Sequence, residues 1–165
     1  MIPDTIIFNG ASEAAEEMET IPNAHFINKS GVELIKNKLS QGKRTETDWD
    51  EIKAILTQYD LVTAVPTNPT KHVRTIGHML CYDGYLHVFT NLYDCQRFLD
   101  KICDLEKKKY LFTIGKIPFS SAIRASEKCM KELYIDIAID GGSCIRYDPF
   151  KEVLIATMLV DTNKE

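Results

Sequence analysis

Three of the four histidines, His72, His78 and His87, lie close together in sequence. If His78 and His87 stand on facing strands of a hairpin, they become diagonal cross-strand neighbours within ~7–8 Å, a separation that two metal ligands can share. Only His72, in the preceding loop, could add a third ligand. Three histidines without a spacing pattern read as ordinary half-exposed side chains, so neither a metal nor a cofactor is expected. The five cysteines (Cys81, Cys95, Cys103, Cys129 and Cys144) show no C-x-x-C spacing and mostly occupy apolar positions, which points to reduced thiols and against zinc. Cys95 falls near a helix start, where a thiolate could be stabilised, but its place in an apolar stripe turns it inward. Asp136 and Asp140, at i and i+4 on one strand, are ~13 Å apart by strand rise, too far to act on one atom. They read as an outward face and a turn. Gly141-Gly142-Ser143 lacks the glycine spacing and the lysine of a phosphate loop and also reads as a turn. No catalytic residue is therefore expected.

The bulk properties narrow the classes of function. A chain of 165 residues, 44% apolar and 27% charged, suits one soluble domain with its own core. Twenty basic and 24 acidic side chains are well mixed, giving a net charge of −4 and no field that favours a polyanion, so nucleic acid is not an expected partner. The longest basic run, Lys107-Lys108-Lys109, follows Glu106 at a helix end, where lysines complement the helix dipole. No stretch reaches the ~18 apolar residues of a membrane span, and no signal peptide is evident. A cytoplasmic location is expected.

The elements that would position any site follow from periodicity. In the first 45 residues, short apolar runs at 5–8 and 24–27 alternate with helical patterns at 12–18 and 30–39. Ser30 and Glu33 have the form of a capping box for the second helix, whose stripe is Leu34, Ile35 and Leu39; Gln41-Gly42 stops it. Residues 43–47 are polar without period and mark a boundary between an N-terminal extension (1–45) and the main domain (46–165). Thr47 is placed to cap a helix over 49–59 with Ile52, Ile55, Leu56 and Tyr59 on one face. Residues 61–66 form a strand that Pro66 confines to an edge or ends, and 67–74 read as a loop.

Asp83-Gly84 between apolar runs is a strong two-residue hairpin signal, because both residues adopt positive φ readily. Residues 76–82 and 85–90 should pair around it. That register sets Tyr82 against Tyr85, Leu80 against His87 and His78 against Phe89 on one face, and Cys81 against Leu86 and Met79 against Val88 on the other. The second face is core. The first is either covered by the N-terminal extension or open as a binding surface. Asn91 then caps a helix with Cys95, Phe98, Leu99 and Ile102 inward. A strand over 110–114, a helix capped by Ser120 or Ser121 and carrying Ile123, Met130 and Leu133, and a strand over 135–139 follow. Two further strands, at 144–147 and 153–160, turn at Asp148-Pro149.

This succession resembles the N-terminal domain of the SseB family, a small bacterial α/β domain. The resemblance rests on the helix and proline-ended strand over 49–66, and on Leu86-His87-Val88-Phe89-Thr90 leading into Asn91-Leu92-Tyr93-Asp94-Cys95-Gln96-Arg97-Phe98. It rests also on Ile135-Asp136-Ile137-Ala138-Ile139-Asp140-Gly141-Gly142, where Asp140-Gly141 stands in place of the Asn-Pro often found in the family. The resemblance covers about two thirds of the chain. It implies a mixed sheet with a central hairpin, helices mainly on one face, and no catalytic residues; the family is known by a serine-sensitivity phenotype rather than a reaction. The expected function is non-catalytic binding of another protein through Tyr82, Tyr85, His87 and Phe89. The alternatives are a toxin-immunity or phage-encoded inhibitor protein, and a small enzyme whose pocket the sequence does not reveal.

Overall fold

Asp83 and Gly84 both have positive φ, 52° and 89°, and the expected hairpin closes over them. The computed structural model describes residues 6–8, 26–40, 44–138 and 143–158. The expected helix at 12–18, the stop at Gln41-Gly42, and Asp140 with its glycine turn lie outside the described residues. The fold is mixed α/β. Its strands are β1 (Ile6–Phe8), β2 (Asp60–Pro66), β3 (Val73–Ile76), β4 (Met79–Tyr82), β5 (Tyr85–Phe89), β6 (Phe112–Pro118), β7 (Leu133–Ala138), β8 (Ser143–Asp148) and β9 (Val153–Met158). The helices are α1 (Lys29–Leu39), α2 (Glu46–Gln58), α3 (Leu92–Glu106) and α4 (Phe119–Cys129).

All nine strands join one sheet in the order β1-β6-β2-β5-β7-β8-β9, with β4 on β5 and β3 on β4. Only the β5–β7 pairing among these is parallel. It needs a long crossover, which α3, β6 and α4 supply. Both faces are covered. Ile35 and Leu39 of α1, Ile52 and Leu56 of α2 and Ala122 of α4 share one core with Met79, Cys81, Leu86, Val88, Leu133 and Ile135. On the opposite face α3 is the one helix among the described residues, packing Cys95, Leu99 and Ile102 against Val62, Leu80, Phe89, Phe112 and Ile114. The helices thus lie mainly on one face. The described part of the extension packs within the same body: β1 pairs with β6, and α1 joins the core of α2 across the boundary expected at residue 45.

Several local expectations are corrected, each for a physical reason. The hairpin pairs Tyr82 with Tyr85, Cys81 with Leu86 and Leu80 with His87, and then stops. A second tight turn at Gly77-His78, with φ of 58° and 62°, folds β3 back on β4 out of the stretch read as a loop. His78 therefore never reaches Phe89, which pairs instead with Val62 of β2 and Asp136 of β7. β2 is interior, and Pro66 ends it opposite Phe112. Asn28, not Ser30, caps α1 by accepting from the Gly31 N–H, and Leu34 is exposed. Thr45, not Thr47, caps α2. Its hydroxyl accepts from the Asp48 N–H while the Asp48 carboxylate accepts from the Thr45 N–H, a complete capping box. Helix α4 starts after Pro118 without a side-chain cap and ends at Met130, which is left-handed and exposed; Leu133 belongs to β7. The strand expected at 110–114 begins instead at Phe112 and runs to Pro118.

Candidate functional site

Among the described residues the hairpin's first face is covered by α3, with Phe26 of the extension packed against the same core. Asn91 accepts from the Asp94 N–H at 2.9 Å and so starts α3 directly after β5, and the helix returns over the strand it has just left. Its apolar stripe buries Phe89 completely, so Phe89 is core and cannot contact a partner. Tyr82 is half-buried, donating its hydroxyl to Glu106 of α3 at 3.2 Å, and its ring meets Phe98 edge-on at 6.2 Å. Of the four expected contact residues, Tyr85 alone is well exposed, at 43%.

Beside α3, where it leaves β7 uncovered, the structure opens a cleft of about 320 Å³ whose lining includes Tyr82, Tyr85, His87, Phe98, Tyr134 and Asp136. The parallel pairing of β5 with β7 sets His87 level with Tyr134 and Phe89 level with Asp136. The His87 ring stacks on Tyr134 at 5.5 Å and tilts against Phe98 at 4.5 Å. Tyr85 meets Tyr134 edge-on at 5.5 Å and forms the outer wall. Asp83 and Lys101 sit at the rim with Leu105, which is 59% exposed.

At the floor, His87 Nδ1 lies 3.6 Å from Asp136 Oδ2, too long for a hydrogen bond, and neither atom has a hydrogen-bonding partner although both are buried. Asp136 is 1% exposed, which corrects its expected outward position. Its backbone is fixed: the carbonyl accepts from the Thr90 N–H at 3.1 Å, and the β7–β8 register shifts between Asp136 and Ala138. Bulges of this kind re-aim side chains. The surrounding groups keep their protons. Burial, then Glu106, raises the Tyr82 hydroxyl; burial, then Glu132, raises that of Tyr134. Burial, helped by the Asp136 carboxylate, pushes the Cys144 thiol up to about 12 and the Cys95 thiol well up.

The other sequence candidates do not converge. His78, in its turn, lines a separate cleft with Lys116, Arg124 and Lys128, and His72 lies 3.7 Å from Asp83. Among the described residues no group of three His, Cys, Asp or Glu side chains could hold a metal. Cys95 is fully buried with its thiol shifted away from the reactive thiolate, and all five cysteines are free. Lys107 is the left-handed C-cap of α3, in keeping with the structural reading of the lysine run. Sequence reasoning missed Phe98 as a wall, Tyr134 and Asp136. The alternation of Tyr134 and Asp136 with Leu133 and Ile135 carried the signal: with the apolar pair facing one core, the polar pair must share the opposite face with His87.

Among the described residues no helix is long and apolar enough to cross a membrane. No protein-family model, curated protein or solved structure matches the chain.

Proposed function

We propose that the chain is a non-catalytic, cytoplasmic bacterial domain of the SseB N-terminal type that binds another protein through the cleft between α3 and β7. The observation that carries this reading is the cleft's construction: exposed Tyr85 and Leu105 stand at its rim above two buried polar atoms that have no hydrogen-bonding partner. Interface hot spots are enriched in Tyr and sit in desolvated pockets ringed by polar residues, the place that Asp83 and Lys101 take here. The order helix, proline-ended strand, hairpin, helix, strand, helix and strand over 46–138 supports the family type. The five free thiols support a reducing compartment.

The test is capture from bacterial lysate on immobilised wild-type protein and on Tyr85→Ala. A specific partner retained by the wild type and lost by a folded Tyr85→Ala variant is the expected result. A partner held equally by both would remove the cleft from the interface. A second reading, a small enzyme, is favoured by one observation, the carboxylate beside an imidazole, which in many active sites orients a general base. Against it, the described lining holds no Ser, Thr or Cys as nucleophile. Native mass spectrometry showing a stoichiometric small molecule displaced in His87→Gln would favour the enzyme.

A further inference from the structure

Resting on that interface, we propose that the cleft recognises a cationic side chain of its partner, an arginine guanidinium, held over the tyrosine rings with Asp136 as its counter-ion. Asp136 Oδ2 is a buried acceptor without a donor, and His87 Nδ1, 3.6 Å away, is a second acceptor whenever the neutral ring carries its proton on Nε2. A donor group lodged between them satisfies both, whereas an anion or a carbonyl would set acceptor against acceptor. Buried polar groups left unpaired are costly, so a ligand that supplies the donors gains what the free protein lacks.

Charge and shape select among donors. The lining contributes the carboxylates of Asp83 and Asp136, and Glu106 stands behind the Tyr82 hydroxyl. Lys101 is the one lysine among the described lining residues and is exposed on α3. Tyr85 and Tyr134 provide aromatic surface suited to a cation. A guanidinium fits better than an ammonium: it is planar, stacks on rings, presents several N–H donors in a fixed fork and gives up its hydration more easily. The chain's net charge of −4 favours approach of a basic segment.

The experiment titrates ¹⁵N-labelled protein with N-acetyl-L-arginine N-methylamide, with the equivalent citrulline derivative as a neutral isostere, and with the norleucine and glutamate derivatives. The arginine probe should shift the amides of Tyr85, His87, Tyr134 and Asp136 and bind roughly ten- to a hundredfold more tightly than citrulline, the range for hydrogen bonds to charged groups. Asp136→Asn should erase that preference. Equal affinity for arginine and citrulline, tighter binding of glutamate, or shifts centred elsewhere would each overturn the inference, and the wild-type titration decides it even if Asp136→Asn does not fold. The two readings fail separately: loss of the captured partner in Tyr85→Ala with no arginine preference leaves the interface standing without its cation, whereas an unaffected partner removes the interface itself.

Discussion

Phe89→Ala and Tyr85→Ala, four residues apart on the same face of β5, should behave in opposite ways. Phe89 is fully buried, its ring lies 5.5 Å from that of Phe98, and its backbone is held by Val62 on one side and Asp136 on the other. Neighbours clamped on both flanks and roofed by α3 cannot collapse into the space the ring leaves. The loss should therefore fall in the upper part of the ~3–5 kcal/mol typical of Phe→Ala in a core, a large share of the ~5–15 kcal/mol that a domain possesses. Tyr85 is 43% exposed and has one edge-on ring contact, with Tyr134 at 5.5 Å. Its truncation should cost about 1 kcal/mol, the scale of a single aromatic pair. Urea unfolding, followed by circular dichroism and by Trp49 fluorescence, measures both, with an unchanged m-value confirming the same transition. A Phe89→Ala variant within 1 kcal/mol of wild type would refute the placement of α3 over the hairpin. So would a Tyr85→Ala variant as damaged as Phe89→Ala.

Three further outcomes follow from the geometry. Gly77→Ala should destabilise more than Gly84→Ala. Both positions have positive φ, worth roughly 1–2 kcal/mol for a residue with a Cβ, but a Cβ at Gly77 would lie 2.7 Å from that of Ala125 while Gly84 faces open space; thermal melts of the two variants rank them. Thr45→Ala removes the cap of α2 and should cost about 1 kcal/mol by urea titration, with Thr47→Ala near neutral as the control. Stability should fall on the alkaline side. The Cys144 thiol is raised by burial to about 12, so its contribution is complete below the ordinary thiol range and is lost as pH climbs from about 9 toward 12. Cys144→Ala should flatten that decline in melts recorded from pH 8 to 11, and an unchanged slope would assign it to other groups.

The fold was largely legible because its elements obey local rules. Asp83-Gly84 dictates positive φ twice and so fixes the Tyr82–Tyr85 register. Ile52 and Leu56 keep helical spacing and are both buried. The errors fell where two local signals competed: Thr45 and Thr47 are both able to cap, and the capping box with Asp48 decided for Thr45. At Gly77-His78 a glycine followed by a histidine gave a weaker turn signal than Asp-Gly, and the β3–β4 hairpin went unread. The candidate site was only half legible for a different reason. Tyr82, Tyr85 and His87 follow from one hairpin, a local matter. Tyr134 and Asp136 reach them through a parallel pairing separated by two helices and a strand, and no local pattern states which edge of β5 the returning strand will take.

That same pairing brings several departures from good local practice together in the cleft. Helix starts at Asn28, Thr45 and Asn91 have their side-chain caps, and the aliphatic residues of both cores are sealed. Around Asp136, by contrast, a register shift interrupts the β7–β8 ladder, a carboxylate is buried without a donor, and an imidazole faces it just beyond bonding distance. A leucine or valine at position 136 would satisfy the fold more cheaply, since buried charge is repaid only by close pairing. Rules broken together within one cleft are what the binding function proposed above would leave behind. On that proposal the Asp136 carboxylate serves what enters the cleft, and Asp136→Leu should then raise stability while abolishing the arginine preference.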